Sequence, residues 1–259
     1  MIAVSRARVE TCIRMIKLSH LAATLLILLP ALSGSGAGKE RTLTASEADG
    51  LLRRPASTDA GSTRIIERAE GAYRKLRSLR TVSRDGRIVA TILVQRPRFY
   101  RLTQKLVSGE LLATAVSDGK RYYEYQERKH EYLERGSEVL DRLALPVNVR
   151  LFFPEQRSSN LLIGLDGKPT VREYAYRYRG KAVVHGKPAE RVDVSVMVRA
   201  PDGAWHSFVS ERYYDPQSGL LLRAVNGNRT MDIESAPNAK IAPNQFHWTP
   251  PAGSTKGLG

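Results

Sequence analysis

From residue 86 onward the apolar side chains recur at every second position, and this change of period commits the chain to a β-rich fold. Successive side chains of a strand point to opposite faces, so a period of two marks strands as a period of 3.6 marks helices. Strands are expected over Arg87–Gln95 (RIVATILVQ), Phe99–Leu106, Leu111–Val116, Arg121–Gln126 and Glu131–Arg135. Turn residues such as Ser117-Asp118-Gly119-Lys120 separate them, which reads as an antiparallel meander. The second half resumes with Tyr174–Arg179, a short strand around Val183, Arg191–Arg199, Trp205–Tyr214, Leu220–Asn226 and Asn228–Ile233. Asp215-Pro216-Gln217-Ser218-Gly219 is the hairpin turn between two of these. Roughly ten strands follow one another without a linker, as in a single domain.

Helical spacing appears in two places. Ser62 and Thr63 are N-cap candidates, and Ile65, Ile66, Ala69, Ala72, Tyr73, Leu76 and Leu79 after them form one apolar stripe, packed on a sheet. Ser137–Ala144 suits a short helix with Val139, Leu140 and Leu143 on one side, stopped by Pro146. Leu151-Phe152-Phe153-Pro154 is a bulky apolar cluster outside any regular period. Residues 38–61 are polar, contain Pro55 and keep no period, so they read as a flexible leader before a domain spanning 62–259. The fold class is therefore α+β, mainly antiparallel β.

Two strands differ in a way that bears on ligands. Along Arg191–Arg199 the valines 192, 194, 196 and 198 face one way and Asp193, Ser195 and Met197 the other, as in a sheet with one wet face. Along Arg87–Gln95 both faces are apolar: Ile88, Ala90, Ile92 and Val94 on one, Val89, Thr91 and Leu93 on the other. One face can meet a helix, while the other lines the inside of a curved sheet. Whether that inside is filled core or an apolar cleft stays open from periodicity alone.

The N-terminal residues follow another logic. Lys17 and His20 precede the apolar run Leu21–Leu32, and the small residues Ser33–Gly38 follow it. Basic flank, short apolar core and small-residue exit make a secretory signal over 1–37, with cleavage after Ala37 and Met15 as the expected initiator. The run is shorter than the roughly 20 residues a membrane span needs. The single cysteine, Cys12, precedes that run, so the mature protein has no thiol for nucleophilic, metal or disulfide chemistry. The net charge is +15, of which residues 1–38 account for about +3, leaving about +12 on the mature part. Such a balance serves either an anionic membrane surface or simple solubility, and both readings stand.

Catalytic constellations are missing. His20, His130, His185, His206 and His247 show no zinc-binding spacing, and no nucleophile elbow, dinucleotide fingerprint or phosphate loop occurs. Asp118, Asp166, Asp202 and Asp215 sit beside glycine or proline in turns, where turn formation accounts for them. The Arg172–Lys181 segment mixes tyrosine and arginine, but a strand sends Tyr174, Tyr176 and Tyr178 to one face and the arginines to the other, so nucleic-acid binding is not expected. No metal, cofactor or enzymatic activity is expected.

Two segments, Leu93-Val94-Gln95-Arg96-Pro97-Arg98-Phe99-Tyr100 and Val116-Ser117-Asp118-Gly119-Lys120 leading to Tyr123 and Tyr125, carry a family likeness. With the leading helix, the turn Asp215–Leu220 and the ending Phe246–Gly253 (FHWTPPAG), they make residues 62 to 253 resemble the periplasmic outer-membrane lipoprotein carrier LolA and its wider superfamily. The resemblance implies an unclosed, half-open β-barrel lidded by helices, with an apolar interior for acyl chains. It implies that Ile92 and Val94 line the cleft, that Leu140 and Leu143 belong to a lid helix, and that Arg96 latches the lid by hydrogen bonding. Against this, Arg96 is equally read as an ordinary strand-end charge. The family's Phe-x-Gln segment is missing, with Leu79–Ser83 in its place, so the first strand is expected to start late.

The function this implies is a periplasmic carrier, expected to be monomeric, that binds acyl chains of a lipid or lipoprotein and exchanges them with a membrane-associated donor or acceptor protein. The alternative is an envelope-stress sensor of the RseB/MucB type, binding lipid signals and an anti-sigma factor. That type carries a second domain, for which the room after Pro154 is small.

Overall fold

The computed structural model describes residues 40–141, 145–153, 161–163, 168–200 and 202–257. The expected signal segment, with Met15 and Cys12, and Leu143 of the expected lid helix lie outside the described residues. In chain order the elements are β1 (Arg41–Leu43), α1 (Ala45–Arg53), β2 (Ser57–Thr58), α2 (Ala60–Lys75), β3 (Ser78–Arg84), β4 (Ile88–Gln95), β5 (Phe99–Leu106), β6 (Leu111–Asp118), β7 (Arg121–Gln126) and β8 (Glu131–Gly136). A 3-10 turn over Ser137–Asp141 follows, then α3 (Val147–Arg150), β9 (Leu161–Ile163), β10 (Pro169–Val184), β11 (Lys187–Arg199), β12 (Trp205–Tyr214), β13 (Leu221–Asn226), β14 (Arg229–Pro237) and β15 (Thr255–Lys256).

All described strands belong to one sheet, in the order β15-β8-β7-β6-β5-β4-β3-β14-β13-β12-β11-β10-β2, with β1 on β12 and β9 on β10. The pairings are antiparallel except at the two ends, β2 on β10 and β15 on β8. The ends do not meet, so this is the unclosed antiparallel sheet that the α+β reading anticipated. An exposed edge invites pairing with another chain. Here each edge carries a two-residue strand, Ser57–Thr58 on one side and Thr255–Lys256 on the other. The two halves of the meander are joined side by side by β3 and β14, where Leu79 faces Pro237 and Arg84 faces Asp232.

One helix collects the inner face of this sheet. Ser62, Ile65, Ala69 and Tyr73 are the buried stripe of α2. Ile65, Ala69 and Tyr73 share a core with Ile92 and Val94 of β4, Tyr100 and Leu102 of β5, the four valines 192, 194, 196 and 198 of β11 and Phe208 of β12. A sheet whose distant strands all reach one helix must curl around it. Asp59 caps α2 by accepting from Ser62 N at 2.7 Å, and its second oxygen accepts from Tyr178 N at 2.9 Å, which ties the helix start to β10. Gly61 lets the helix come close, since a Cβ there would meet the Tyr178 ring at 2.8 Å. The helix stops at Lys75, before the expected end at Leu79. The next residues are needed as a strand, with Ser78 opposite Gln95 and Leu79 opposite Val94. The first long strand therefore does not start late: Ser78–Arg84 occupies the place where the family motif is missing.

The stretch 38–61 is not a flexible leader where it is described. Thr44 and Glu47 form a capping box at α1, and Leu43 and Ala48 bury themselves against Met197. A periodic pattern this short does not announce itself in sequence. Its effect is to cover the outer face of β11, so Met197 is fully buried on the side expected to be wet. At the other end of the sheet the C-terminal residues cross the outer face. Phe246 is buried against Phe99 at 5.3 Å, and Trp248 lies within 5.2–5.8 Å of Tyr123, Tyr125 and Tyr132.

Replacing Phe246 by Ala is expected to cost about 3 kcal/mol in a urea unfolding titration. A loss below about 1 kcal/mol would mean that the tail is not part of the cooperative fold.

Candidate functional site

The inner face is covered by two pieces of chain, α2 and the residues 145–153 around α3. Leu145, Val149, Leu151, Phe152 and Phe153 are all buried in the main core. The cluster Leu151–Phe153, which has no period in sequence, is thus apolar filling for the open side of the sheet.

Arg96, one residue beyond β4, joins these pieces. Its Nε donates to Leu76 O at 2.9 Å, and its Nη2 donates to Phe152 O at 2.9 Å and to Tyr73 O and Arg74 O at 3.4 Å. Its guanidinium also stands 4.5 Å from the centre of the Phe152 ring. The last carbonyls of a helix have no partner within it and carry the negative end of its dipole. A guanidinium placed there satisfies them and reaches the facing segment with the same fork.

Between the 145–153 segment and strands β10 to β14 lies a cavity of about 20 Å³, walled by Leu145, Leu162, Val171, Val198, Phe208 and Met231. This holds about one water and no acyl chain. Charged groups reach it from three elements. Glu173 of β10 accepts from Arg150 Nη2 at 2.8 Å and from Arg212 Nη2 at 2.5 Å, and the Tyr176 hydroxyl donates to it at 2.7 Å. All three ionic side chains are 95% or more buried. Burial alone pushes the Glu173 carboxyl up, but the guanidiniums of Arg150 and Arg212 outweigh it and hold the group far below the ordinary glutamate range. Burial lowers Arg212 and the Glu173 carboxylate raises it, with a net shift upward. The Tyr176 hydroxyl is pushed up by burial and by the same carboxylate.

A second, larger hollow of about 480 Å³ lies on the outer face beside α1, lined by Leu43, Ala48, Leu52, Pro169, Arg199 and Trp205 among others. No group of three or more metal-ligating side chains occurs among the described residues.

The residues singled out in sequence fall as follows. Ile92, Val94 and Leu140 are buried in the main core on the inner face, and Leu140 sits in a 3-10 turn rather than a regular helix. Arg96 lies at the end of the same strand face, with its head on the α2 terminus. Arg150, Glu173 and Arg212 were not singled out. A register shift between Glu173 and Ala175 hides Glu173. The extra residue turns Glu173 and Tyr176 inward, opposite Val196 and Val194, and sends Tyr174 to the outer face, where it bonds Ser207. The three tyrosines therefore do not share a face. Arg212 carried a readable signal, since it stands in phase with Phe208, Ser210 and Tyr214, the buried side of β12.

The fold defines the class: an unclosed antiparallel half-barrel wrapped on helices, the architecture that the resemblance to LolA implies. No family model matches the chain, and no curated protein does. Solved structures similar to it include the Mycobacterium tuberculosis lipoprotein LppX, 14% identical with a TM-score of 0.43 over 71% of this chain and 98% of that one. LprF from Mycobacterium bovis is 11% identical with a TM-score of 0.42 over 72% and 97%. MucB is 17% identical with a TM-score of 0.39, over 74% of this chain and 64% of MucB. Likenesses at this level concern the fold alone. No helix among the described residues is long and apolar enough to cross a membrane.

Because folded Glu173 titrates below its unfolded counterpart, its contribution to stability is complete above the ordinary value near 4.5 and drains away as pH falls below it. Glu173→Gln is expected to flatten the acid limb of a melting-temperature–pH profile while lowering stability at pH 7 by about 3 kcal/mol or more. An unchanged acid limb would mean that the carboxylate is not held ionised by its arginines.

Proposed function

We propose that the chain is an exported, periplasmic carrier that takes up acyl chains of a lipid or lipoprotein on the inner face of the half-barrel and performs no chemistry itself. One observation carries this reading. The apolar inner face of an open sheet is covered by two separate segments, α2 and residues 145–153, which Arg96 joins to each other, rather than by the sheet's own closure. Ile92, Val94, Leu140 and Leu143 are the contact residues proposed for the ligand, and Arg96 is the proposed latch. Each methylene buried on that face is worth roughly 0.8 kcal/mol, so one or two chains suffice for tight yet reversible capture. The 20 Å³ cavity supports a mechanism in which the ligand takes the place of covering side chains instead of entering a standing void. A monomer that meets a membrane-associated donor and acceptor in turn fits this cycle.

The test is uptake. Protein purified from the envelope is expected to carry lipid visible by native mass spectrometry, and the stripped protein to take up a fluorescent fatty acid. Arg96→Ala is expected to speed that uptake about tenfold, the effect of losing the one charge-assisted hydrogen bond, worth roughly 1.5 kcal/mol, that reaches across to Phe152. Bare polypeptide in the spectrometer together with no uptake would contradict the reading.

A further inference from the structure

The buried ionic cluster is unbalanced. Two guanidiniums, those of Arg150 and Arg212, face one carboxylate, that of Glu173, and each side chain is at most 5% exposed. One positive charge therefore stays in excess inside the core, where an unmatched ion costs several kcal/mol. The hydrogen bonds are unbalanced as well. Arg150 Nε is buried with no acceptor among the described residues, although buried donors ordinarily find one. Tyr176 is no remedy, because its hydroxyl donates to Glu173 and occupies a lone pair that the arginines would otherwise use. Across the same cavity the Asn226 Oδ1 is also buried with no partner among the described residues, so two of the side chains lining the cavity have hydrogen-bonding capacity to offer a ligand.

The surroundings say what that ligand is. Arg150, Glu173 and Arg212 form one wall of the inner cavity, and apart from Ser210 and Asn226 the remaining lining is apolar, with Leu145, Leu162, Val171 and Phe208 among it. A free inorganic anion would satisfy the charge but would leave the apolar walls without a contact. A neutral chain would fill the walls but leave the extra charge unmatched. An amphiphile with an anionic head satisfies both.

We infer that the Arg150–Glu173–Arg212 cluster is the receptor for the anionic head of the ligand, a carboxylate or phosphate monoester joined to an alkyl chain, and that it sets the preference of the inner face for anionic over neutral amphiphiles. This rests on the carrier reading. The head accepts from Arg150, whose Nε is unused, and Glu173 holds both guanidiniums in place as the positioning residue. Because the charge sits on α3, head binding engages the same segment that Phe152 ties to Arg96.

Binding of laurate, lauryl phosphate, lauryl alcohol and inorganic phosphate to the delipidated protein, by isothermal titration at pH 7, decides the matter. Laurate and lauryl phosphate are expected to bind at least about tenfold more tightly than the alcohol, the gain of one charged hydrogen bond in a dry site. Inorganic phosphate is expected not to bind measurably. A preference between laurate and lauryl phosphate tells a fatty acid from a phospholipid-type head. In Arg150→Met, which leaves one guanidinium for one carboxylate, the anions are expected to lose their advantage while the alcohol keeps its affinity. Alcohol binding as tightly as the anions, or an anion preference unchanged in Arg150→Met, would overturn the inference and leave the carrier reading intact. Absence of binding by all three lauryl compounds would overturn the carrier reading itself. Should Arg150→Met fail to fold, the comparison of the three in the unsubstituted protein still decides.

Discussion

A sheet that does not close on itself must have its inner face covered by something else, and in this protein the two pieces of that cover are joined to each other by Arg96. The guanidinium binds the Tyr73, Arg74 and Leu76 carbonyls at the end of α2 and the carbonyl of Phe152 in the facing segment. Helix, β4 and the 145–153 segment thus meet at one side chain. The rest of the inner core, from Ile65 and Tyr73 on the helix to Phe208 and Ile233 on the strands, depends on that cover staying in place. An interior of this kind is packed when empty of ligand and can be repacked around one, because few backbone bonds fix the cover to the sheet.

The second constraint is electrostatic. Replacing a buried ion triad by apolar residues of similar volume is often neutral or stabilising, so stability alone does not account for Arg150, Glu173 and Arg212. Under the proposed function, their placement on the cavity wall, with two guanidiniums to one carboxylate, gives them a part in receiving the ligand. The neighbouring salt bridges differ in kind. Arg84–Glu234 and Arg121–Glu134 are half or more exposed on the arginine side and belong to the solvated outer face, where such pairs are worth little.

Much of this was legible in the chain. Strands β4, β5, β7 and β12 begin and end within a residue of where their period of two places them, because half-buried strands write their faces directly into alternation. The apolar wall of β4 was legible for the same reason: Ile92 and Val94 follow the inner phase. Three features were not. α1 is nine residues long, and its few apolar positions show no sustained period until Met197 is known to lie beneath them. The Leu151–Phe153 cluster is core without being a regular element. Glu173 reaches the interior only through a register shift, which moves a side chain to the other face without altering the composition of the strand. The Arg96 contacts lie between, since the strand end was visible and its four backbone acceptors were not.

Uptake as proposed requires the cover over the inner face to open as a unit while the sheet stays folded. Native-state hydrogen exchange measures this residue by residue. Amides of α2 and of residues 147–153 are expected to exchange through an opening well below the global unfolding free energy, amides of β10 to β12 are not, and an anionic amphiphile is expected to slow the former selectively. Exchange of the helix and the 147–153 segment only through global unfolding, with no change on adding the amphiphile, would contradict it.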